Sequence, residues 1–419
     1  MNSPISPLSP RLASTTAKLR NRIPVQLKRA ITIYLVCVCV LIIILNVDLI
    51  PSIPRRNGVF RRTTIPSNSI SLESSRSFPK KIWQTWKVDP FAFEQRDFIT
   101  ARSWTSKNPS FRYEVLTDNN DLSYIEQHFG PEGFNRMDIV DLYRSVNATI
   151  IKADLLRYLI VYAEGGIYAD IDVEALRPVS KFIPERYDEE EISMVIGVEI
   201  DQPQFKDHKI LGGKSQSFCQ WTFMAKPRNP VMLRLVENIK DWLTDIAKKQ
   251  NVGIGEVVLD FDQVISGTGP SAFTAAILEE MNRRSNGAVI TWDDFHDLGE
   301  SKVVGGILVL DIEAFAAGQG HSDSGNHNAR GALVKHHYHA SNWPSRHPRF
   351  SHPIYGEVER CNWDPDCVGK WDEDVGIFDL LPPEEQQKRI EEKRIQEAQD
   401  HQPQLELKAR ELKTASFIE

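Results

Sequence analysis

The sequence predicts an α/β domain with a largely parallel sheet, carried behind one membrane-spanning segment. Three observations predict it. Between Ile151 and Val173 the apolar period changes from that of a helix to that of a strand, across Gly165 and Gly166. Apolar runs of strand length alternate with helical stripes along the chain, and the acids stand at a strand's end, as in sheets whose ligands bind outside the strands' carboxyl ends. Near the start, Ala30 to Val47 is eighteen residues without a charge, against the roughly 17 to 25 that cross a bilayer.

With 419 residues, 41% of them hydrophobic, the chain can bury one large core or two ordinary ones. A net charge of −7 excludes a general nucleic-acid binder, which carries a basic stripe. Five cysteines are too few for a disulfide scaffold, and Cys37 and Cys39 lie inside the apolar run. Cys361 and Cys367 can bridge a short loop if that part is lumenal, leaving Cys219 unpaired. Cysteine spacing of the zinc-binding kind is absent.

Residues 1–29 are rich in Ser and Pro and carry Arg11, Lys18, Arg20, Arg22, Lys28 and Arg29 without an acid, a disordered cytosolic tail. Residues 30–50 lack the short apolar core and small-residue cleavage site of a signal peptide, so they form an uncleaved transmembrane anchor. The basic flank before it outweighs Arg55, Arg56, Arg61 and Arg62 after it, which puts the N-terminus in the cytosol and the remainder in a lumen. Residues 51–78 alternate Pro, Ser and Arg and form a stem. A folded domain, 79–355, opens with a strand over Lys80 to Trp86, and Phe111 to Leu116 is the second, ending in the turn cluster Thr117 to Asn120 with a helix beyond. Asn147-Ala148-Thr149 is a glycosylation sequon at a crowded position. Met194 to Ile200 is a further strand. Pro230 opens an amphipathic helix whose Met232, Leu235, Val236, Ile239, Trp242, Leu243 and Ile246 form a core-packing stripe. Residues 303–310, VVGGILVL, make the last strand. Residues 356–419 have too few apolar residues for a core and form a charged extension, helical and solvated after Pro383.

The stretch 151–176 organises the rest. Ile151, Leu155, Tyr158, Leu159 and Tyr162 make one helical stripe, and Gly165 and Gly166 stop the helix. From Ile167 to Val173 strand alternation puts Tyr168, Asp170 and Asp172 on one face. Two carboxylates there suit a hard divalent cation shared with substrate phosphates; a solvated acidic strand end is the plain alternative. Asp154 and Arg157, three apart and off the stripe, can act together or form a surface ion pair.

Ala153, Asp154, Arg157, Tyr158, Gly165, Gly166, Tyr168, Asp170 and Asp172 together resemble the DXD glycosyltransferases of the sugar-binding-region class, glycosyltransferase family 32, the family of the fungal Och1-type α-1,6-mannosyltransferases. The clostridial glucosylating toxins are similar over the same stretch. The resemblance covers about 79 to 350 and implies a GT-A-like nucleotide-sugar-binding domain. It implies transfer with retention from GDP-mannose to a glycan acceptor, extending or initiating N-glycan outer chains, with Mn²⁺ or Mg²⁺ as cofactor. It places catalysis on Asp154, Arg157, Asp170 and Asp172, and donor binding on Trp86, Gln84, Asp154, Arg157, Tyr168 and Gly269. Trp86 and Gln84 end the first strand, where the family approaches the base; two core tryptophans are the alternative. Gly267-Thr268-Gly269-Pro270 matches a Thr-Gly-Pro near the family's cleft, a turn able to receive an anion at a helix N-terminus, or else a simple loop. The family pattern His-His-Phe-x-Gly-Ser-Trp aligns with His336, Ser341 and Trp343, with Ala340 for the glycine and Asn342 extra, and makes His336 a metal or phosphate ligand beside Asp170 and Asp172. A Golgi membrane, with the ER as alternative, and mannosyltransferase complex subunits as partners complete the implied picture. Competing readings are an inositol phosphoceramide mannosyltransferase, another hexosyltransferase, a metal phosphohydrolase and an inactive glycan-binding domain.

Overall fold

The computed structural model describes residues 77–319, 324–339 and 352–415. The expected tail, anchor and most of the stem lie outside the described residues, as do Ala340, Ser341, Asn342 and Trp343. Among the described residues no helix is long and apolar enough to cross a membrane.

Among the described residues ten strands form, β1 (Lys81–Trp86), β2 (Arg112–Thr117), β3 (Gly166–Ala169), β4 (Val173–Ala175), β5 (Met194–Asp201), β6 (Gln216–Phe218), β7 (Thr222–Ala225), β8 (Lys302–Val304), β9 (Ile307–Leu310) and β10 (Val334–His336). The central sheet has the order β2-β1-β3-β7-β5-β9-β8, with β6 pairing β5. β1, β2, β3, β5 and β9 run one way, while β6, β7 and β8 run against them. The sheet is therefore mixed but mostly parallel, as expected, with the antiparallel β7 at its middle. β4 and β10 form a separate antiparallel pair.

The helices are α1 (Gln95–Lys107), α2 (Asp121–Phe129), α3 (Met137–Ser145), α4 (Thr149–Glu164), α5 (Pro230–Gln250), α6 (Phe261–Gly267), α7 (Pro270–Arg284), α8 (Ile312–Ala316), α9 (Pro365–Asp379) and α10 (Pro383–Ala415). Strand alternation sorts the core into two layers. Trp83, Tyr168, Phe223, Ile196 and Val309 face one way, against Leu155 of α4, Ile239 of α5 and Phe273 of α7. Ile82, Ile167, Met224, Val195 and Leu308 face the other, against Trp104 of α1 and Phe315 of α8.

Two elements differ from the sequence reading. Residues 303–310 are not one strand: Gly305 and Gly306, at φ +57° and +75°, turn the chain between β8 and β9, the two-residue hairpin that needs positive φ at both positions. The first part of the extension, read as having too few apolar residues for a core, contributes to a small one. Val358, Cys361 and Val368 join Phe205 and Leu211 in a small third cluster, clipped by the Cys361–Cys367 disulfide, so the segment borrows apolar partners from the body. Cys219 is buried and unpaired.

The two glycines after α4 set the position of everything beyond. Gly165 caps the helix at φ 65°, ψ −169°, a region open essentially to glycine alone. A Cβ there would lie 2.7 Å from the Pro227 ring, and one on Gly166 2.7 Å from the Lys81 carbonyl oxygen, so β3 can slot beside β1 only with bare backbone. Gly165→Ala is expected to cost about 2 to 6 kcal/mol from strain plus overpacking. Chemical denaturation checks this; a cost near that of an ordinary surface Gly→Ala change would contradict it.

Candidate active site

The burial of α4 begins the site. Packed against the sheet and α5, the helix buries residues on all sides rather than along one stripe, so Asp154 and Arg157 are only 3% and 7% exposed. Arg157 Nη2 lies 3.2 Å from Asp154 Oδ1. The expected alternative of a surface pair, worth roughly 0 to 1 kcal/mol, does not apply. Removing one partner of a buried pair typically costs about 3 to 5 kcal/mol, because the other charge is stranded.

A closed network holds the pair. The Thr268 hydroxyl donates to Asp154 Oδ2 at 2.7 Å, and the Gln220 amide also bonds this carboxylate. The Tyr158 hydroxyl reaches Gln220 Oε1 at 2.5 Å and the Thr268 carbonyl at 2.8 Å. Arg157 Nη1 donates to the Gln220 carbonyl at 3.4 Å and lies 3.3 Å from Asp170 Oδ1, with its guanidinium 5.1 Å from the Tyr168 ring centre. Arg157 thereby joins the helix pair to the acids after β3.

Those acids do not alternate along a strand. β3 ends at Ala169 and Asp170 to Asp172 form a turn, closed by the Val173 amide donating to the Asp170 carbonyl at 3.0 Å. Alternation stops there because the backbone leaves β1 and β7 after Ala169 and reverses around Ile171, which is 2% exposed. The turn is pinned throughout. The Asp170 amide donates to the Trp221 carbonyl (2.9 Å), Gln84 Nε2 to the Asp170 carbonyl (2.9 Å), the Thr100 hydroxyl to the Ile171 carbonyl (2.5 Å) and the His337 amide to the Asp172 carbonyl (3.0 Å).

β10 then delivers His336 opposite Val173 of β4, with Nε2 3.2 Å from Asp172 Oδ1. The imidazole stacks near Trp221 (4.7 Å between ring centres) and Tyr338 (3.8 Å). Asp170, Asp172 and His336 each offer a ligand atom, all within 4.8 Å of one another. Two carboxylate oxygens with one imidazole suit a divalent cation. Among the described residues, His336 Nδ1 and Arg157 Nε are buried and have no hydrogen-bond partner. Burial raises the Asp170 carboxyl above its ordinary value despite the pull of Arg157, with Asp172 adding to the rise, and a cation there would relieve both effects.

The other sequence-derived residues are placed as follows. Tyr168 is fully buried and donates to Asp170 Oδ1 at 2.7 Å. Gln84 is buried too, and both ends of its amide are taken, by the Asp170 carbonyl and by the Tyr113 hydroxyl at 2.5 Å. Trp86 is half-buried at the end of β1, its Nε1 without a partner. The amides of Thr268 and Gly269 both donate to the Val264 carbonyl, and Pro270 has none, so this turn offers the site its Thr268 hydroxyl rather than a backbone anion cradle. Asn147 is exposed, and its Nδ2 donates to the Gly255 carbonyl at 3.0 Å. Thr100, Gln220 and Trp221 hold the site without having been marked for a role in the sequence, whereas Thr268 belongs to the Thr-Gly-Pro turn that was.

An α/β sheet with an Asp-x-Asp turn at the carboxyl end of a strand, a histidine closing on it and a buried Asp–Arg pair beside it defines a protein of the DXD class. Residues 95–189 match the family described as "Glycosyltransferase sugar-binding region containing DXD motif", and the chain belongs to that family of glycosyltransferases. It is 34% identical over 269 residues to the initiation-specific alpha-1,6-mannosyltransferase of Schizosaccharomyces pombe, a match covering 63% of each chain. It is 30% identical to the Candida albicans protein of the same description, over 60% of this chain and 68% of that one. It is also 30% identical to the putative glycosyltransferase HOC1 of Saccharomyces cerevisiae, over 57% of this chain and 59% of that one. Among solved structures, the PaToxG glycosyltransferase matches half of this chain and 72% of its own at 16% identity, with a TM-score of 0.33.

The network makes a pH prediction. Burial pushes the Asp154 carboxyl up to about 6 from 3.8, against the pull of Arg157 and the Thr268 hydrogen bond. A folded-state value above the unfolded one means that the folded protein holds the proton more tightly between the two, so stability falls as pH rises through that window and is level above it. The difference in melting temperature, Asp154→Asn minus wild type in chelator, is expected to rise from about pH 4 to about pH 6 and then level off. A difference that stays flat across this range would show that the carboxyl is not perturbed.

Proposed function

We propose that the chain is a metal-dependent retaining hexosyltransferase, an α-1,6-mannosyltransferase that moves mannose from GDP-mannose to a glycan acceptor and initiates or extends N-glycan outer chains. The observation that carries this reading is the convergence of Asp170, Asp172 and His336 beside the buried Asp154–Arg157 pair. The names of the fungal relatives support the choice of mannose. In the reaction the bond from the anomeric carbon to the diphosphate oxygen breaks, the acceptor hydroxyl oxygen bonds to that carbon on the same face, and its proton leaves with the diphosphate.

Asp170, Asp172 and His336 would hold the divalent cation, Mn²⁺ or Mg²⁺, which when bound would supply Lewis-acid stabilisation of negative charge on the diphosphate. Asp154 accepts from, and Arg157 donates to, sugar hydroxyls, and the Thr268–Gln220–Tyr158 network fixes both groups so that the anomeric carbon is aligned before reaction. Tyr168 and Gln84 serve donor binding by bracing the acid turn from beneath. Trp86, with a free indole N–H at the end of β1, meets the nucleotide base. Gly269 lets the Thr268 turn approach α6 closely, since a Cβ on it would stand 3.0 Å from Ile265 backbone.

Transfer of mannose from GDP-mannose in Mn²⁺, measured beside UDP-sugars, tests the donor. Asp170→Asn and Asp172→Asn are each expected to lower transfer by about 100 to 1000-fold, the scale of losing one group that stabilises developing negative charge. Activity that persists in excess EDTA would remove the metal from the reading.

The same reading places the protein in the Golgi membrane, or alternatively the ER, as a single-pass chain with residues 79–419 lumenal and other mannosyltransferase subunits as partners. The Cys361–Cys367 disulfide supports an oxidising compartment. A C-terminal tag is expected to survive protease added to sealed microsomes; digestion without detergent would reverse the orientation.

A further inference from the structure

Glu199 lies near the end of β5 and is only 7% exposed. Its Oε1 accepts from Trp221 Nε1 at 3.0 Å and its Oε2 lies 3.5 Å from the Ser217 hydroxyl. Trp221, itself 4% exposed, follows the network residue Gln220 at the start of β7. It touches two of the three ligand candidates through independent parts. Its carbonyl accepts from the Asp170 amide at 2.9 Å, and its ring stands 4.7 Å from the His336 ring at 34°. An indole needed only to fill space would serve with any partner for its N–H, a backbone carbonyl included. Here the N–H is tied to a carboxylate, a charge-assisted bond that fixes the ring more firmly than a neutral one and costs the burial of a charge.

Resting on the metal reading above, we propose that Glu199 and Trp221 are positioning residues for the metal cluster. Glu199 fixes the tilt of the indole, the indole face fixes the plane of the His336 imidazole, and the Trp221 carbonyl fixes the backbone of Asp170. Neither residue touches the cation. Partners behind metal ligands typically set affinity by about 10 to 100-fold.

The test follows the melting temperature of the full chain in detergent, stripped with EDTA, as MnCl₂ is added back. Wild type, Glu199→Gln, Trp221→Phe and Asp172→Asn are compared. Glu199→Gln keeps an acceptor of the same shape without the charge, and Trp221→Phe keeps a ring without the N–H. Both are expected to reach half-maximal stabilisation at about 10 to 100-fold higher MnCl₂, Glu199→Gln with metal-free melting close to wild type and Trp221→Phe from a lower metal-free melting temperature. A merely structural role would lower melting equally at every concentration and leave the half-maximal concentration unchanged. That result in Glu199→Gln overturns the proposal, and it decides the matter even if Trp221→Phe fails to fold. If wild type itself gains nothing from MnCl₂, the metal reading fails and this inference falls with it; a wild-type gain that Asp172→Asn loses, with Glu199→Gln unchanged, overturns this inference alone.

Discussion

A turn of three residues that carries two carboxylates has to be held in one shape while its charges repel, and the domain is arranged to meet that requirement. β1 supplies the Gln84 amide, α1 the Thr100 hydroxyl, α4 the Arg157 guanidinium, the start of β7 the Trp221 carbonyl and the strand at 334–336 the following His337 amide. Each comes from a different part of the chain, and together they satisfy the turn's carbonyls and the Asp170 amide. All of these but the Arg157 contact use backbone groups of the turn, while Arg157 and the Tyr168 hydroxyl reach the Asp170 carboxylate itself. Arg157 supplies the counter-charge on the Asp154 side, and the remaining side is closed by His336. The backbone of the turn is thus shaped by neutral hydrogen bonds, while Arg157 and His336 stand against its carboxylates.

Bare backbone makes this arrangement reachable. β3 runs parallel to β1 and antiparallel to β7, the strand that begins beside Trp221. With α4 lying directly before β3, the chain has one residue in which to leave the helix, and Gly165 takes it in a conformation that an ordinary side chain forbids. Asp154, Arg157 and the turn are consequently fixed to one another through a single rigid joint, so the buried Asp–Arg pair and the acid turn move as one body.

The elements with strong local signals were legible in the sequence. The helix-to-strand change at 165–166, the β1 and β2 strands and the long stripe of α5 each follow from periodicity, and Asp154, Arg157, Asp170 and Asp172, singled out within one short stretch, do lie close together. What was not legible depends on the third dimension. The alternation rule continued β3 through Val173 because Ile171 is buried, as a strand residue would be, although it is buried by a turn. VVGGILVL read as one strand because both arms of a hairpin buried in a core are apolar, and only the paired positive φ values separate them. The surface-pair alternative for Asp154 and Arg157 arose because a helix sandwiched between a sheet and a second helix buries its polar face as well, which periodicity alone does not show. Gln220 and Trp221 lie far from the motif in sequence, and nothing in their own neighbourhoods signals a shared contact; Thr268 was signalled only through its Thr-Gly-Pro turn.

This division has a physical reason. Groups that meet a ligand must present a fixed chemistry at a fixed spacing, so acids, glycines and an arginine leave a pattern within some twenty residues. Groups that hold those groups need only supply one donor or acceptor at the right place, and a threonine, a glutamine or a backbone carbonyl can do so from any segment the fold brings near. The Thr268 hydroxyl and the Trp221 carbonyl are cases of this kind, one on a turn before a helix and one before a strand. A support of that sort leaves its trace in contacts, and the buried carboxylate behind Trp221 is the point at which those contacts carry a charge rather than a neutral group.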